Sequence, residues 1–303
     1  MLAPLTMELR ERCNRAKWIA AALVAAVAFF GSTRAHAQIT FVQKTPTATL
    51  IPSGAQTLSL NITAFSTQPV AGHFIVVFVT LDHNADIPTV RDNTAGNPAY
   101  TLAQSMAQTG GTALIYYREN ITTVASFTVT VTTSLGTAQY MSAAAAEFSG
   151  VALSGSLEAS PPTNSGTGTA VSTGAIVGTA SSDLYIGVFT NNNNAYTSIT
   201  STAGTQLYNQ PSNTVAAMGA EYLIGSGSQT LTWTTNPAYA WVAVGAAFKV
   251  APPPPAAPVA TAGTNIQATS FSANWNASSI SRSGTMSRNF STSPITRTRR
   301  ALV

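Results

Sequence analysis

Between Pro52 and Val250 apolar and polar residues alternate in short runs broken by Gly, Pro and Asn, which is the period of strands and not of helices. Gln56 to Thr63 sets Leu58, Leu60 and Ile62 against Thr57, Ser59 and Asn61, a half-buried strand. Ser126 to Thr133 alternates most cleanly, with Phe127, Val129 and Val131 on one side. Two runs, His73 to Leu81 and Asp183 to Thr190, are apolar and β-branched almost throughout, and predict central strands covered on both faces. Gln38 to Lys44, Ala113 to Arg118, Gln139 to Phe148, Val215 to Ile224, Gln229 to Thr234 and Ala240 to Val250 complete the expected strands. Thr89 to Tyr100, with Asp92-Asn93 and Gly96-Asn97, is expected as a hairpin connection. Val151 to Thr173 is expected as a loop-rich passage and Asn191 to Asn194 as a tip loop. The reading is one all-β domain of residues 38–250, two packed antiparallel sheets built from Greek keys.

The two halves of this domain repeat at low similarity. Phe74 to Thr80 resembles Leu184 to Thr190. Asn93 to Gly96 followed by Tyr100 resembles Ser201 to Gly204 followed by Tyr208. Tyr117 aligns with Tyr222, Phe127 to Thr130 with Gln229 to Thr232, and Ala144 to Phe148 with Val244 to Phe248. The alternative is that alternating strands always resemble one another.

Either end reads differently. Arg10, Arg12, Arg15 and Lys17 precede the apolar run Trp18 to Phe30, and Ala35-His36-Ala37 supplies small residues before Gln38. This is the pattern of a secretory signal over residues 1–37, cleaved after Ala37, with Met7 as plausible a start as Met1. The run is short for a bilayer span, so the mature chain is expected to lack one. Ala251 to Pro258 is a proline-rich, extended linker. In residues 259–278, Phe271, Ala273 and Trp275 alternate as a strand. From Ser279 to Val303 the chain is rich in Ser, Thr and Arg with no strand pattern. A basic tail in that place points to a shifted reading frame or a truncated gene product, the rival being a tail for an anionic surface.

Partition of the charge changes its meaning. The formal +4 is the sum of +3 in residues 1–37, −4 in residues 38–250 and +5 in residues 251–303. The domain is thus mildly acidic, which excludes a nucleic-acid partner. Charged residues are only 8% of the chain, as in extracellular β-structure. The one cysteine, Cys13, lies in the signal, so the mature chain has no disulfide, thiol nucleophile or cysteine metal site.

Candidate chemistry is sparse. Glu147 and Glu221 are the carboxylates set deepest in apolar strands, and they are the residues a polysaccharide-acting glycoside hydrolase would have to use. A carboxylate such as Glu147 needs solvent or a partner such as Arg118. Asp82, Asp86 and Asp92 fall in two loops and could hold Ca²⁺, although turn chemistry explains Asp92 equally well. Trp233, Trp241, Tyr100 and Tyr208 could stack on sugar rings of a polysaccharide or cell-surface glycan, core packing being the default for such residues. His73 and His83 flank one strand without a metal-ligand or catalytic spacing. No catalytic pattern emerges, and no cofactor other than calcium is implied.

Val90 to Asn97 with Tyr100, then Tyr116-Tyr117, then Ala146 to Gly150, resembles a recurrent module of bacterial exported proteins that often precedes fibronectin type III repeats. The resemblance implies a concanavalin A-like jelly roll. The chain departs from it at Asn97-Pro98-Ala99-Tyr100, where Asn-x-Tyr is usual. Pro258 to Trp275 resembles the first two strands of a fibronectin type III domain, which implies a buried Trp275, and the family's later strands are missing. The expectation is a non-enzymatic, secreted or cell-surface module that binds carbohydrate or serves adhesion or structure. The alternatives are a glycoside hydrolase using Glu147 and Glu221, and a pure structural spacer.

Overall fold

The computed structural model describes residues 38–50, 58–63, 65–82, 87–109, 111–133, 140–159, 163–191, 195–211, 216–253, 260–267 and 270–275. No helix occurs among these residues, and the strand pairings are antiparallel. Residues 35–253 form one compact unit. Its first half supplies β1 (Thr40–Lys44), β2 (Ala48–Leu50), β3 (Leu58–Thr63), β4 (Phe74–Leu81), β5 (Thr89–Asp92), β6 (Thr101–Gln108), β7 (Gly111–Arg118), β8 (Thr128–Thr133) and β9 (Met141–Ser149). Its second half supplies β10 (Leu157–Ala159), β11 (Asn164–Val177), β12 (Asp183–Asn191), β13 (Ser198–Ser201), β14 (Thr205–Gln210), β15 (Met218–Gly225) and β16 (Ser228–Phe248).

The first half is a sandwich of β1-β9-β4-β7-β6, with β2 also on β9, against β3-β8-β5. The second half repeats that order as β10-β16-β12-β15-β14, while β11 and β13 flank the first part of β16. One strand of 21 residues, β16, does the work that β8 and β9 divide between them. The reason for the layering lies in β4 and β12. Phe74, Val76 and Phe78 of β4 meet Leu184, Ile186 and Val188 of β12 in a central core. The intervening Ile75, Val77, Val79 and Leu81 enter an outer core with Val90, Val129 and Val131. Tyr185 and Phe189 enter another with Val171, Ile199, Leu231 and Trp233. Unbroken apolar runs are therefore required on both strands, at about 1.5–3 kcal/mol for each large side chain buried. The outcome is two sandwiches back to back, where the sequence pattern led us to expect one.

The ladders also settle the repeat. Phe148 lies opposite Phe74 and Phe248 opposite Leu184, while Tyr117 lies opposite Val76 and Tyr222 opposite Ile186. A bulge recurs at the same place, between Leu102 and Gln104 in β6 and between Gln206 and Tyr208 in β14. Three alignments shift, the first being that of Asn93, which matches Thr202 and not Ser201. Thr128 matches Thr232, since their carbonyls accept from Asn93 and Thr202 respectively. Thr101 and Thr205 pair with Tyr117 and Tyr222, so Tyr208 matches Gln104 and not Tyr100. The turn after β5 is longer than the turn after β13, and sequence comparison had absorbed that difference by sliding the tyrosines together.

The expected loop Val151 to Thr173 is corrected by β10 and by the 14 residues of β11. Gly155 lies in a bend, but Gly166 and Gly168 lie within β11. A Cβ on Gly166 would lie 2.7 Å from the Trp241 ring, so glycine is needed for strand and indole to meet. β5, β6, β13 and β14 are further strands that the pattern does not predict. Gln229 to Thr234 and Ala240 to Phe248 belong to one strand, not two, and Val250 forms only a bridge with Val151. In the second unit β17 (Ala260–Gln267) pairs antiparallel with β18 (Ser270–Trp275). Residues 1–37, 254–259 and 276–303, which carry the expected signal, most of the expected linker and the expected tail, lie outside the described residues.

Candidate functional site

Near the end of β9, Glu147 lies between Gln43 of β1 and Ile75 of β4. The register of β1 slips between Phe41 and Gln43. This bulge re-aims the strand, so that Phe41 packs on the central core while Gln43 joins Glu147. The Glu147 carboxylate is fully buried. Its Oε1 accepts from the Val70 backbone N–H at 2.9 Å and from His73 Nδ1 at 2.6 Å. Its Oε2 accepts from Gln43 Nε2 at 2.5 Å. Gln43 Oε1 accepts from Ser66 Oγ at 3.0 Å, Thr67 N at 3.0 Å and Thr67 Oγ1 at 3.1 Å. Gln43 Nε2 also donates to the Thr67 carbonyl at 3.0 Å. A buried charge is tolerated because donors surround it. The arrangement fixes the imidazole by Nδ1, and the ring keeps 21% exposure. A carboxylate–imidazole pair of this kind can hold and pass a proton.

Arg118, expected as a partner for Glu147, instead pairs with the buried Asp92. The other Asp92 oxygen accepts from the Thr94 backbone N–H at 2.9 Å and from its hydroxyl at 2.5 Å. Asp82 accepts from the Tyr140 backbone N–H at 3.0 Å. Of the three carboxylates suggested for calcium, Asp92 thus serves a turn and an ion pair, Asp82 holds the backbone just before β9, and Asp86, like His83, lies outside the described residues. Among the described residues no three His, Cys, Asp or Glu side chains group as a metal site.

The four aromatic candidates do not come together. Trp233 is 1% exposed and its ring lies 5.0 Å from that of Phe189. Trp241 shares that outer core, Tyr100 sits in the outer core of the other half, and Tyr208 in the central core. Burial raises the Tyr100 hydroxyl pKa well above its ordinary value, with Asp92 adding to it. Burial likewise raises that of Tyr208, whose hydroxyl donates to the Ala145 carbonyl at 2.6 Å. Tyr208 does line a shallow groove of about 350 Å³, with Lys44, Thr47, Gln206 and Asn209. There Lys44 Nζ donates to the Leu207 carbonyl and lies 5.2 Å from the Tyr208 ring centre.

Glu221 is also fully buried. It accepts from the backbone N–H groups of Thr232 at 2.7 Å and Gly204 at 3.2 Å. Burial raises its pKa above the ordinary carboxylate value, and those donors oppose the rise. The next residues, Phe148 and Tyr222, point inward at the central core. By strand alternation Glu147 and Glu221 face away from each other, on opposite sides of the paired central sheets. The 5–10 Å separation of a hydrolytic carboxylate pair does not fit a gap of two sheets stacked about 10 Å apart.

Sequence reasoning missed Gln43, Ser66, Thr67 and the role of His73. The signal for Gln43 was its phase, two residues beyond Phe41 in an inward series. The bulge that turns it toward Glu147 has no sequence mark. No family model, no curated protein and no solved structure matches the chain.

Proposed function

We propose that the chain is a non-enzymatic module exported from a bacterial cell, a structural or adhesive element with a tandem of two jelly-roll sandwiches. The observation that carries the reading is the opposed orientation of Glu147 and Glu221, each consumed by donors of its own fold. The recurring strand order β1-β9-β4-β7 against β3-β8-β5 supports the jelly roll. Export rests on residues 8–37 and on a mature chain without cysteine. The β17–β18 pairing is compatible with the opening of a fibronectin type III domain. Among the described residues no helix is long and apolar enough to cross a membrane.

Carbohydrate binding is the second reading, favoured by the polar groove beneath Lys44 and not by the buried tryptophans. The test is incubation of the full exported chain with soluble and insoluble polysaccharides, with and without calcium. The structural reading expects neither depletion of protein nor release of sugar. Depletion abolished by Lys44→Ala would establish the groove as a glycan site. Sugar release lost in Glu147→Gln or Glu221→Gln would overturn the non-enzymatic reading.

A further inference from the structure

We propose that Gln43 and Thr67 join in an intramolecular ester, formed with loss of ammonia and assisted by the Glu147–His73 pair. The Gln43 carboxamide is held as an acyl donor is held. Three donors converge on its carbonyl oxygen, namely Ser66 Oγ, Thr67 N and Thr67 Oγ1 at 3.0, 3.0 and 3.1 Å. Its nitrogen faces two acceptors, Glu147 Oε2 at 2.5 Å and the Thr67 carbonyl at 3.0 Å. The orientation of the amide is therefore fixed, because a backbone N–H can only donate and a carbonyl can only accept. Thr67 grips the amide through its N–H, its carbonyl and its hydroxyl, which holds the hydroxyl oxygen 3.1 Å from the oxygen of the carbonyl it would attack. Ser66 touches the same amide once.

Each part of an acyl transfer is present. Thr67 Oγ adds to Cδ of Gln43, and the carbonyl oxygen takes up negative charge where the Thr67 N–H and the Ser66 hydroxyl already point. The hydroxyl proton leaves to water, since Thr67 and Ser66 are exposed. The Glu147 carboxylate, itself held by His73, and the Thr67 carbonyl keep the two N–H groups of the leaving nitrogen in place, and the Cδ–Nε2 bond breaks as that nitrogen takes a proton from water to leave as ammonia. The sum is amide plus alcohol giving ester plus ammonia, with no oxidant, cofactor or second substrate. It is a single turnover of the chain upon itself, and it stands whether or not the surface binds glycan.

The bond would tie the edge strand β1 to the segment before β4 across a separation of 24 residues. A mature chain without cysteine has no other covalent brace.

Tryptic mapping of the full exported protein under denaturing conditions tests this. Trypsin cuts after Lys44 and Arg91, which separates Gln43 from Thr67. The ester holds the peptide ending at Lys44 joined to residues 45–91, lighter than the sum of the two by the ammonia lost, about 17 Da. Joining distinguishes it from cyclisation of an N-terminal Gln38, which has the same mass change but links nothing. Hydroxylamine should release the two peptides. The expected pattern is joined peptides in wild type and Ser66→Ala, separate peptides in Thr67→Val, and slowed or absent joining in Glu147→Gln. Thr67 and Ser66 are exposed, so these variants test the chemistry with little effect on folding. Separate peptides in the wild type, even after prolonged incubation, would overturn the proposal. So would joining that survives Thr67→Val but fails in Ser66→Ala.

Discussion

Phe148 meets Tyr222 edge to face with ring centroids 5.2 Å apart, and their counterparts Phe248 and Tyr117 meet at 5.1 Å. Each contact is the other with the halves exchanged. That reciprocity is what a two-fold interface between identical subunits produces. Here one chain contains both sides of it, so the central sheets are related by an approximate two-fold axis. The halves share a core that neither could bury alone.

One consequence is joint unfolding. Phe148→Ala should cost about 3–5 kcal/mol, because a fully buried ring leaves a cavity. Trp233 and Trp241 both lie in the second half, so with Trp275 replaced by Phe the indole fluorescence of the exported chain reports that half. In a Phe127→Ala variant, which damages only the outer core of the first half, the fluorescence and circular dichroism transitions in urea should still coincide. Separate transitions would mean that the halves unfold independently.

The outer cores are packed by opposite choices. Val77 and Val129 stand in the first half where Gly187 and Trp233 stand in the second. A Cβ on Gly187 would lie 2.9 Å from Trp233 Cη2 and 2.9 Å from Leu231 Cδ1. Gly187→Ala should cost about 1–3 kcal/mol by overpacking. Gly187→Val with Trp233→Val should lose less than the sum of the single changes, and a double-mutant cycle in urea measures the coupling.

The Arg118–Asp92 pair has no equivalent in the second half, where Leu223 and Ser201 occupy those places. Arg118→Leu strands a buried carboxylate and should cost about 3 kcal/mol. Adding Asp92→Ser should recover much of that loss, since it recreates an arrangement the chain already uses. Thermal or urea midpoints of the three proteins decide it. If the double variant is no more stable than Arg118→Leu, the stranded charge is not the cause.

Glu221 sets a pH dependence. Burial raises its pKa in the folded state above the ordinary 4.5, so the folded chain binds that proton more tightly than the unfolded chain. The stability it contributes is present below 4.5 and is lost as pH rises through the folded value. Wild type should therefore lose ground against Glu221→Gln as pH rises through that window. Urea midpoints measured for both from acid to neutral pH give the difference, and a difference constant with pH would refute the assignment.

How much of this was legible follows from burial. β4 and β12 announce themselves because both faces are covered and every position is apolar. β8 shows as alternation because one face is. β6, β13 and β14 lie at edges where few side chains turn inward, and the inward ones (Leu102, Ala103 and Met106; Ile199; Leu207 and Tyr208) do not alternate over a long enough run to signal a strand. β11 was hidden by its Ser, Thr and Gly, chosen to fit under Trp241 and not to signal a strand. The Glu147 cluster could not be assembled from sequence at all. It joins Gln43, Thr67, His73 and Glu147 across up to 104 residues through a bulge and two ladders. The tryptophans were found by type, but residue type does not distinguish a ring that lies on a surface from one that fills a core.

The chain enters and leaves this unit at one corner. Gln38, the joint at Gly150 and the exit at Ala251 are neighbours, with the Ala251 N–H donating to the Gly150 carbonyl at 2.7 Å and the Gln38 carbonyl against Gly150. A pull on the segment after Ala251 therefore loads the end of β16 and its bond to Gly150 first, at the same corner that holds Gln38, and leaves the far ends of the sheets unstressed.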